Sequence, residues 1–155
     1  MWRRLCRLSV LLCCPVASEA PRAKRRLYNY QEVGKLRAAD AAADDYFGRS
    51  VAIDGATIVV GAVGDDDGGS GSGSAYVFHT SDGGATYGQV AKLTADDAAA
   101  GDEFGNSVAI AGETIVVGTH QYNNGGLGAA YVFRTLDGGA TYVEVAKLTA
   151  SDVST

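Results

Sequence analysis

KLRAADAAADDYFGRSVAIDGATIVVGA, Lys35 to Ala62, returns as KLTADDAAAGDEFGNSVAIAGETIVVGT, Lys92 to Thr119, identical at 20 of 28 positions and displaced by 57 residues. The rest of the unit returns as well. AYVFHTSDGGATYGQVAKLTA, Ala75 to Ala95, reappears as AYVFRTLDGGATYVEVAKLTA, Ala130 to Ala150, identical at 17 of 21 positions and displaced by 55. The two-residue difference arises in the connection between the blocks, VGDDDGGSGSGS (Val63 to Ser74) in the first copy and HQYNNGGLGA (His120 to Ala129) in the second. A fixed period near 55 residues predicts stacked units, each burying its apolar face against a neighbour.

Within each unit four runs have the β-branched and aromatic content of strands: in the first copy Ser50 to Ile53, Thr57 to Ala62, Ala75 to Thr80 and Tyr87 to Thr94. Asp54-Gly55 and Ala111-Gly112 mark tight hairpins, because glycine accepts the positive φ of such a turn. Ser81 to Ala85 and Leu136 to Ala140, built on Asp-Gly-Gly, close the next hairpin. DAAADD and DDAAAGDE have helical composition but are too short for more than a loop or a single turn. Ile58-Val59-Val60 and Ile115-Val116-Val117 leave no polar face, so this strand, read as the inner one, is covered on both sides. The last strand mixes Val90, Ala91 and Leu93 with Lys92 and Thr94, which suits an outer edge protected by charge. The expected fold is therefore all-β: tandem four-stranded antiparallel propeller blades, from about 47–95 and 104–150.

The order FG-x-SVAI-x-G-x-TIVVG, a Gly-rich loop and then AYVF resembles the FG-GAP repeat of integrin-α-type β-propellers, with Phe47-Gly48 and Phe104-Gly105 as the FG. Gly61-Ala62 and Gly118-Thr119 stand where that family has its GAP, without the proline. The resemblance spans about residues 28 to 150. It implies an extracellular propeller for adhesion or ligand recognition, often containing calcium. The family's calcium-binding copies carry a D-x-D-x-D-G-type loop before the IVVGA-like strand, and here that connection has shrunk to Asp54-Gly55 and Ala111-Gly112. Calcium is accordingly not carried over by resemblance. Ser81 to Tyr87 also resembles the Asp-box turn of sialidase-type propellers, a structural turn that does not imply hydrolysis.

Charge separates the head from the repeats. Residues 1–37 hold nine of the 13 Lys and Arg and two of the 18 acids, which leaves 16 acids against four bases beyond them. A repeat region with a net charge of −12 repels phosphate backbones and argues against nucleic acid as a partner. Cys6, Cys13 and Cys14 all lie in the head, so the repeats have no disulfide and no thiol chemistry. Residues 1–20 read as a signal peptide, with a basic start, the apolar run Leu8 to Ala17 and small residues at a plausible cut; an Arg-rich transit peptide is the alternative. Residues 21–27 read as a basic linker. The chain is thus expected to be secreted or on an extracellular surface.

Candidate chemistry is sparse. Asp65, Asp66 and Asp67 are the best calcium candidates, although adjacent carboxylates diverge and the ligands of a calcium loop usually alternate. Asp96, Asp97, Asp102 and Glu103, or Asp40, Asp44 and Asp45, are inter-blade alternatives. Each of these also reads as solvated acidic loop. His79 and His120 fall at different points of the repeat, with no acid and nucleophile at matching positions, so no enzyme is predicted and no catalytic residue or cofactor is assigned. Tyr76, Tyr87, Tyr131 and Tyr142 recur at equivalent positions, as packing residues do. Tyr122, Asn123 and Asn124, in the connection unique to the second copy, are the candidate ligand-loop residues.

Propellers close with typically about four to eight blades. Two blades are encoded here, with Tyr28 to Leu36 resembling the last strand of a blade whose other strands are absent. An open pair leaves two apolar faces uncovered, so either further repeats or self-assembly is expected to close the ring. The function expected is non-catalytic adhesion or recognition of an extracellular protein or glycan. The alternative is a structural fragment of a larger repeat surface protein with no binding site of its own.

Overall fold

Eight strands make up the regular structure of the described residues: β1 (Phe47–Asp54), β2 (Thr57–Ala62), β3 (Ser74–His79), β4 (Gly88–Leu93), β5 (Ser107–Ala111), β6 (Thr114–Thr119), β7 (Ala129–Arg134) and β8 (Val143–Thr149). They were obtained from a computed structural model, which describes residues 31–120 and 128–150. The signal peptide at 1–20, the linker at 21–27 and the loop residues Tyr122, Asn123 and Asn124 lie outside the described residues.

The strands form two four-stranded antiparallel sheets, ordered β1-β2-β3-β4 and β5-β6-β7-β8. Each is an open blade, and no helix occurs among the described residues. The hairpin register places Asp54 opposite Thr57 and Ala111 opposite Thr114. The two-residue loops are therefore Gly55-Ala56 and Gly112-Glu113, one position later than the sequence suggests. Glycine takes the first loop position at φ 54° and 55°, where a Cβ would be strained.

The two faces of each sheet follow from the alternation of side chains along its strands. In the first blade Val59, Ala75, Val77 and Leu93 point toward the second, where they join Phe104, Ile115, Val117, Tyr131 and Phe133 in one buried cluster. Val60, Ala62, Tyr76 and Phe78 point the other way and are covered by Leu36, Ala38 and Phe47. Each FG phenylalanine stacks edge-on against a Tyr and a Phe of its own blade: Phe47 on Tyr76 and Phe78, Phe104 on Tyr131 and Phe133.

Three expectations are corrected. The apolar strand β2 is the second strand and not the innermost one. It lies between β1 and β3, and β1, at the edge of the sheet, runs alongside β5 of the next blade. Val51 and Ile53 of β1 are 61% and 63% exposed, with no preceding blade among the described residues to cover them. Lys92 is not an outward edge charge; it lies opposite Tyr76 in the ladder and turns over that ring. Finally, residues 32–36, expected as the end of a strand, belong to no ladder. A last strand pairs with a third strand, and the blade that would supply one is not encoded among the residues described. The segment nevertheless packs as a last strand would. Leu36 and Ala38 cover the first blade as their counterparts Leu93 and Ala95 cover the second, and the Ala39 amide donates to Gln89 as the Asp96 amide donates to Glu144.

Candidate functional site

The connection Val63 to Ser74 is held by one buried carboxylate. Asp65, 4% exposed, accepts hydrogen bonds from Ser74 Oγ at 2.9 Å, Tyr76 Oη at 2.7 Å and the Asp67 amide at 3.2 Å. It also meets Lys92 Nζ at 2.9 Å. Asp40 and Asp67 complete the cage, at 2.7 and 2.6 Å from the same ammonium. One carboxylate oxygen from each of Asp40, Asp65 and Asp67 lies within 4.8 Å of the others, a spacing that suits a cation between them. The Lys92 side chain supplies it and rests 5.3 Å above the Tyr76 ring centre.

Ionisation within the cage is mutually reinforcing. Burial opposes the charge on Lys92, but hydrogen bonds to Asp40, Asp67 and Asp65 outweigh it and raise the pKa above its ordinary 10.5. Burial likewise opposes the charge on Asp65, and Lys92, Tyr76 and Ser74 outweigh it, so the carboxyl lies below its ordinary value. For Asp40 the lowering comes chiefly from the Lys92 hydrogen bond. Burial, with Asp65 beside it, pushes the Tyr76 hydroxyl up. The second blade repeats the arrangement in reduced form: Lys147 Nζ meets Asp97 at 2.5 Å and rests 5.1 Å above Tyr131, whose hydroxyl donates to Asp97 at 2.8 Å.

The sequence candidates are thus partly assembled and partly dispersed. Asp65 and Asp67 converge, as alternate positions do, while Asp66 turns away to accept from the Gly71 amide at 2.7 Å. Asp40 joins them from the leading segment. Asp97 pairs with Lys147 instead. Asp45 and Asp102 are buried in equivalent turns, where they accept from the Ala42 and Ala99 amides. A calcium ion at Asp65 and Asp67 would have to displace the Lys92 ammonium. The sequence reading names Asp40 as a candidate apart from Asp65 and Asp67 and misses Lys92, although Lys92 and Lys147, Tyr76 and Tyr131, and Asp40 and Asp97 each recur at equivalent positions. The histidines stand at opposite ends of the blades. His79 Nδ1 lies 3.2 Å from Thr57 Oγ1, and His120 Nδ1 lies 3.9 Å from Glu103.

The Gly-rich loop itself is a clamp between blades. Ser70, Gly71 and Ser72 offer their carbonyls to the amides of Gly101, Glu103 and Phe104 at 2.9, 3.0 and 2.9 Å. Below this clamp the backbones approach so closely that side chains are excluded. A Cβ on Gly61 would collide with the Gly105 carbonyl, and one on Gly105 with the Ser74 carbonyl. Ser50 Oγ closes the junction by donating to the Gly105 carbonyl at 2.7 Å. The Phe-Gly of one repeat therefore seats on the Gly-Ala of the repeat before it.

That pairing of motifs agrees with the comparison to known families, in which the FG-GAP repeat matches residues 30–78 and again 87–133. The chain belongs to the FG-GAP repeat family. FG-GAP repeats form propeller-type domains and are not themselves enzymatic. No curated protein matches the chain. In FG-GAP terms, the repeated residues are occupied in packing and in joining blades. The connection His120 to Ala129 is where the two repeats differ in length and chemistry.

Proposed function

We propose that this FG-GAP blade pair is a non-catalytic, extracellular recognition module whose ligand, a protein or a glycan, meets the loop ends of the blades. FG-GAP repeats occur mostly in extracellular or surface proteins, which supports that location. The observation that carries the reading is the division of labour between the copies. The repeated charges are committed internally, Lys92 to Asp40, Asp65 and Asp67 and Lys147 to Asp97, while Tyr122, Asn123 and Asn124 have no counterpart in the first repeat. An aromatic ring flanked by amides suits contact with sugars or peptide backbone. Binding to an array of glycans and extracellular proteins tests this. Saturable binding that is lost on Tyr122→Ala with Asn123→Ala, at unchanged melting temperature, is expected; binding that survives the change overturns the assignment.

A second reading is favoured by the clamp. The first connection is consumed in joining blades, and if the second does the same, the pair is a structural repeat without a ligand site. Absence of binding across the array supports that reading.

A further inference from the structure

The two ends of the blade pair are the two halves of its own internal junction. On the second blade, Val116, Ala130, Val132 and Leu148 are the counterparts of Val59, Ala75, Val77 and Leu93, which the junction buries. Here Leu148 is 55% exposed, against 3% for Leu93, and Val116, Ala130 and Val132 are half-buried. On the first blade, Val51 and Ile53 are the counterparts of Val108 and Ile110, which pack into the junction. The backbone seats are repeated too. Gly48, counterpart of Gly105, has open space where its Cβ would be, and a Cβ on Gly118, counterpart of Gly61, would meet Ser107 and the Ala129 carbonyl of its own blade, with no backbone from another blade beside it.

The open side of the first blade also holds a groove of ≈ 470 Å³ between Val33, Gly34 and Leu36 and the blade's Ile58 and Tyr87. At the internal junction the counterparts of those blade residues, Ile115 and Tyr142, are packed in one cluster with Val59, Val77 and Ala91. Those three have the counterparts Val116, Val132 and Ala146 on the open face of the second blade.

We propose that the second blade of one molecule docks on the first blade of a second copy, head to tail, and reproduces the internal junction between chains. The occupant is a second copy because the two faces already fit each other inside the molecule: side-chain identities, glycine seats and the serine donor all recur. Ser107 would donate to the Gly48 carbonyl of the second copy, as Ser50 does to Gly105 within the chain. Residues 32–38, which belong to no ladder, give way to β8, so that Leu148 takes the place held by Leu36. The contact is heterologous, and it generates a ring if the rotation closes. It is independent of any ligand at the loops.

Sedimentation of the full chain over a dilution series tests the proposal, with two surface variants, V51D with I53D at the head and L148D at the tail. All three positions are exposed in the single molecule, and cooperative melting verifies that each variant folds. Wild type is expected to exceed the monomer mass, by twofold or more as concentration rises, and each variant alone to remain monomeric. An equimolar mixture of the two variants retains one intact head and one intact tail and is expected to stop at the dimer. A wild type that stays monomeric at every concentration overturns the proposal and leaves both faces to a different partner. It is equally overturned if the folded variants associate as wild type does, or if their mixture fails to dimerise.

Discussion

Gly61 and Gly105 face one another across the junction between the blades, with no room for a Cβ on Gly61 before it meets the Gly105 carbonyl. This is the contact that makes two repeats one body. A methyl on Gly118, the counterpart of Gly61, meets chiefly the Ser107 hydroxyl, a side chain that can rotate away.

Gly61→Ala is therefore expected to destabilise the chain by about 3 kcal/mol and Gly118→Ala by about 1 kcal/mol, since overpacking against backbone is relieved less readily than against a side chain. Urea unfolding in dilute protein, where contacts between molecules do not contribute, measures the difference. Equal losses would mean that the blades do not meet at Gly105.

Lys92 and Lys147 are repeat counterparts with unequal duties. Removing Lys92 leaves the buried carboxylate of Asp65 without its cation, so Lys92→Ala is expected to cost about 3 kcal/mol. Lys147 neutralises the exposed Asp97, and Lys147→Ala is expected to cost at most about 1 kcal/mol. Lys92→Met combined with Asp65→Asn should recover part of the first loss. The same unfolding assay decides.

The cage also sets the pH dependence. Asp40 and Asp65 titrate below their ordinary 3.8 in the folded chain, so their contribution is complete above that value and is lost as pH falls through the depressed ones. Lys92 and Tyr76 titrate above their ordinary 10.5 and 10.0, so their contribution is complete below those values and is lost as pH rises through the raised ones. A urea midpoint level between the two limits and falling outside both is expected, with a shallower acid limb in Lys92→Ala. An acid limb unchanged by that substitution would contradict the assignment.

Asp82 and Asp137 hold equivalent turns with equivalent bonds, each accepting from two threonines: Thr80 and Thr86 at 2.7 and 2.6 Å, Thr135 and Thr141 at 2.7 and 2.6 Å. Asp82→Ala and Asp137→Ala should lower the melting temperature by similar amounts, and glutamate should restore neither. A large inequality would show that one turn is held by other means.

The repeated apolar positions were legible because strand alternation and hairpin glycines are local: Thr57–Ala62 forms β2 with the bounds its sequence suggests. The cage was not legible, since a lysine on a terminal strand reads as a solvated edge until Asp40 and Asp65, distant in sequence, are brought to it. The leading segment misled for a related reason. Its likeness to β4 fixes which side chains cover the first blade, but a ladder needs a partner strand. Asp66 groups with its neighbours in the sequence because adjacency is visible there and the direction of a side chain in an irregular loop is not.

Hydrogen exchange at the amides of Gly101, Glu103 and Phe104 tests most directly that the two FG-GAP blades form one clamped body. These amides donate to the Ser70, Gly71 and Ser72 carbonyls although they lie in a connecting segment, so protection comparable to that of the β2 amides is the predicted result. Exchange at the rate of open chain, with β2 still protected, would show that the blades are joined only by their covalent link and contradict the account.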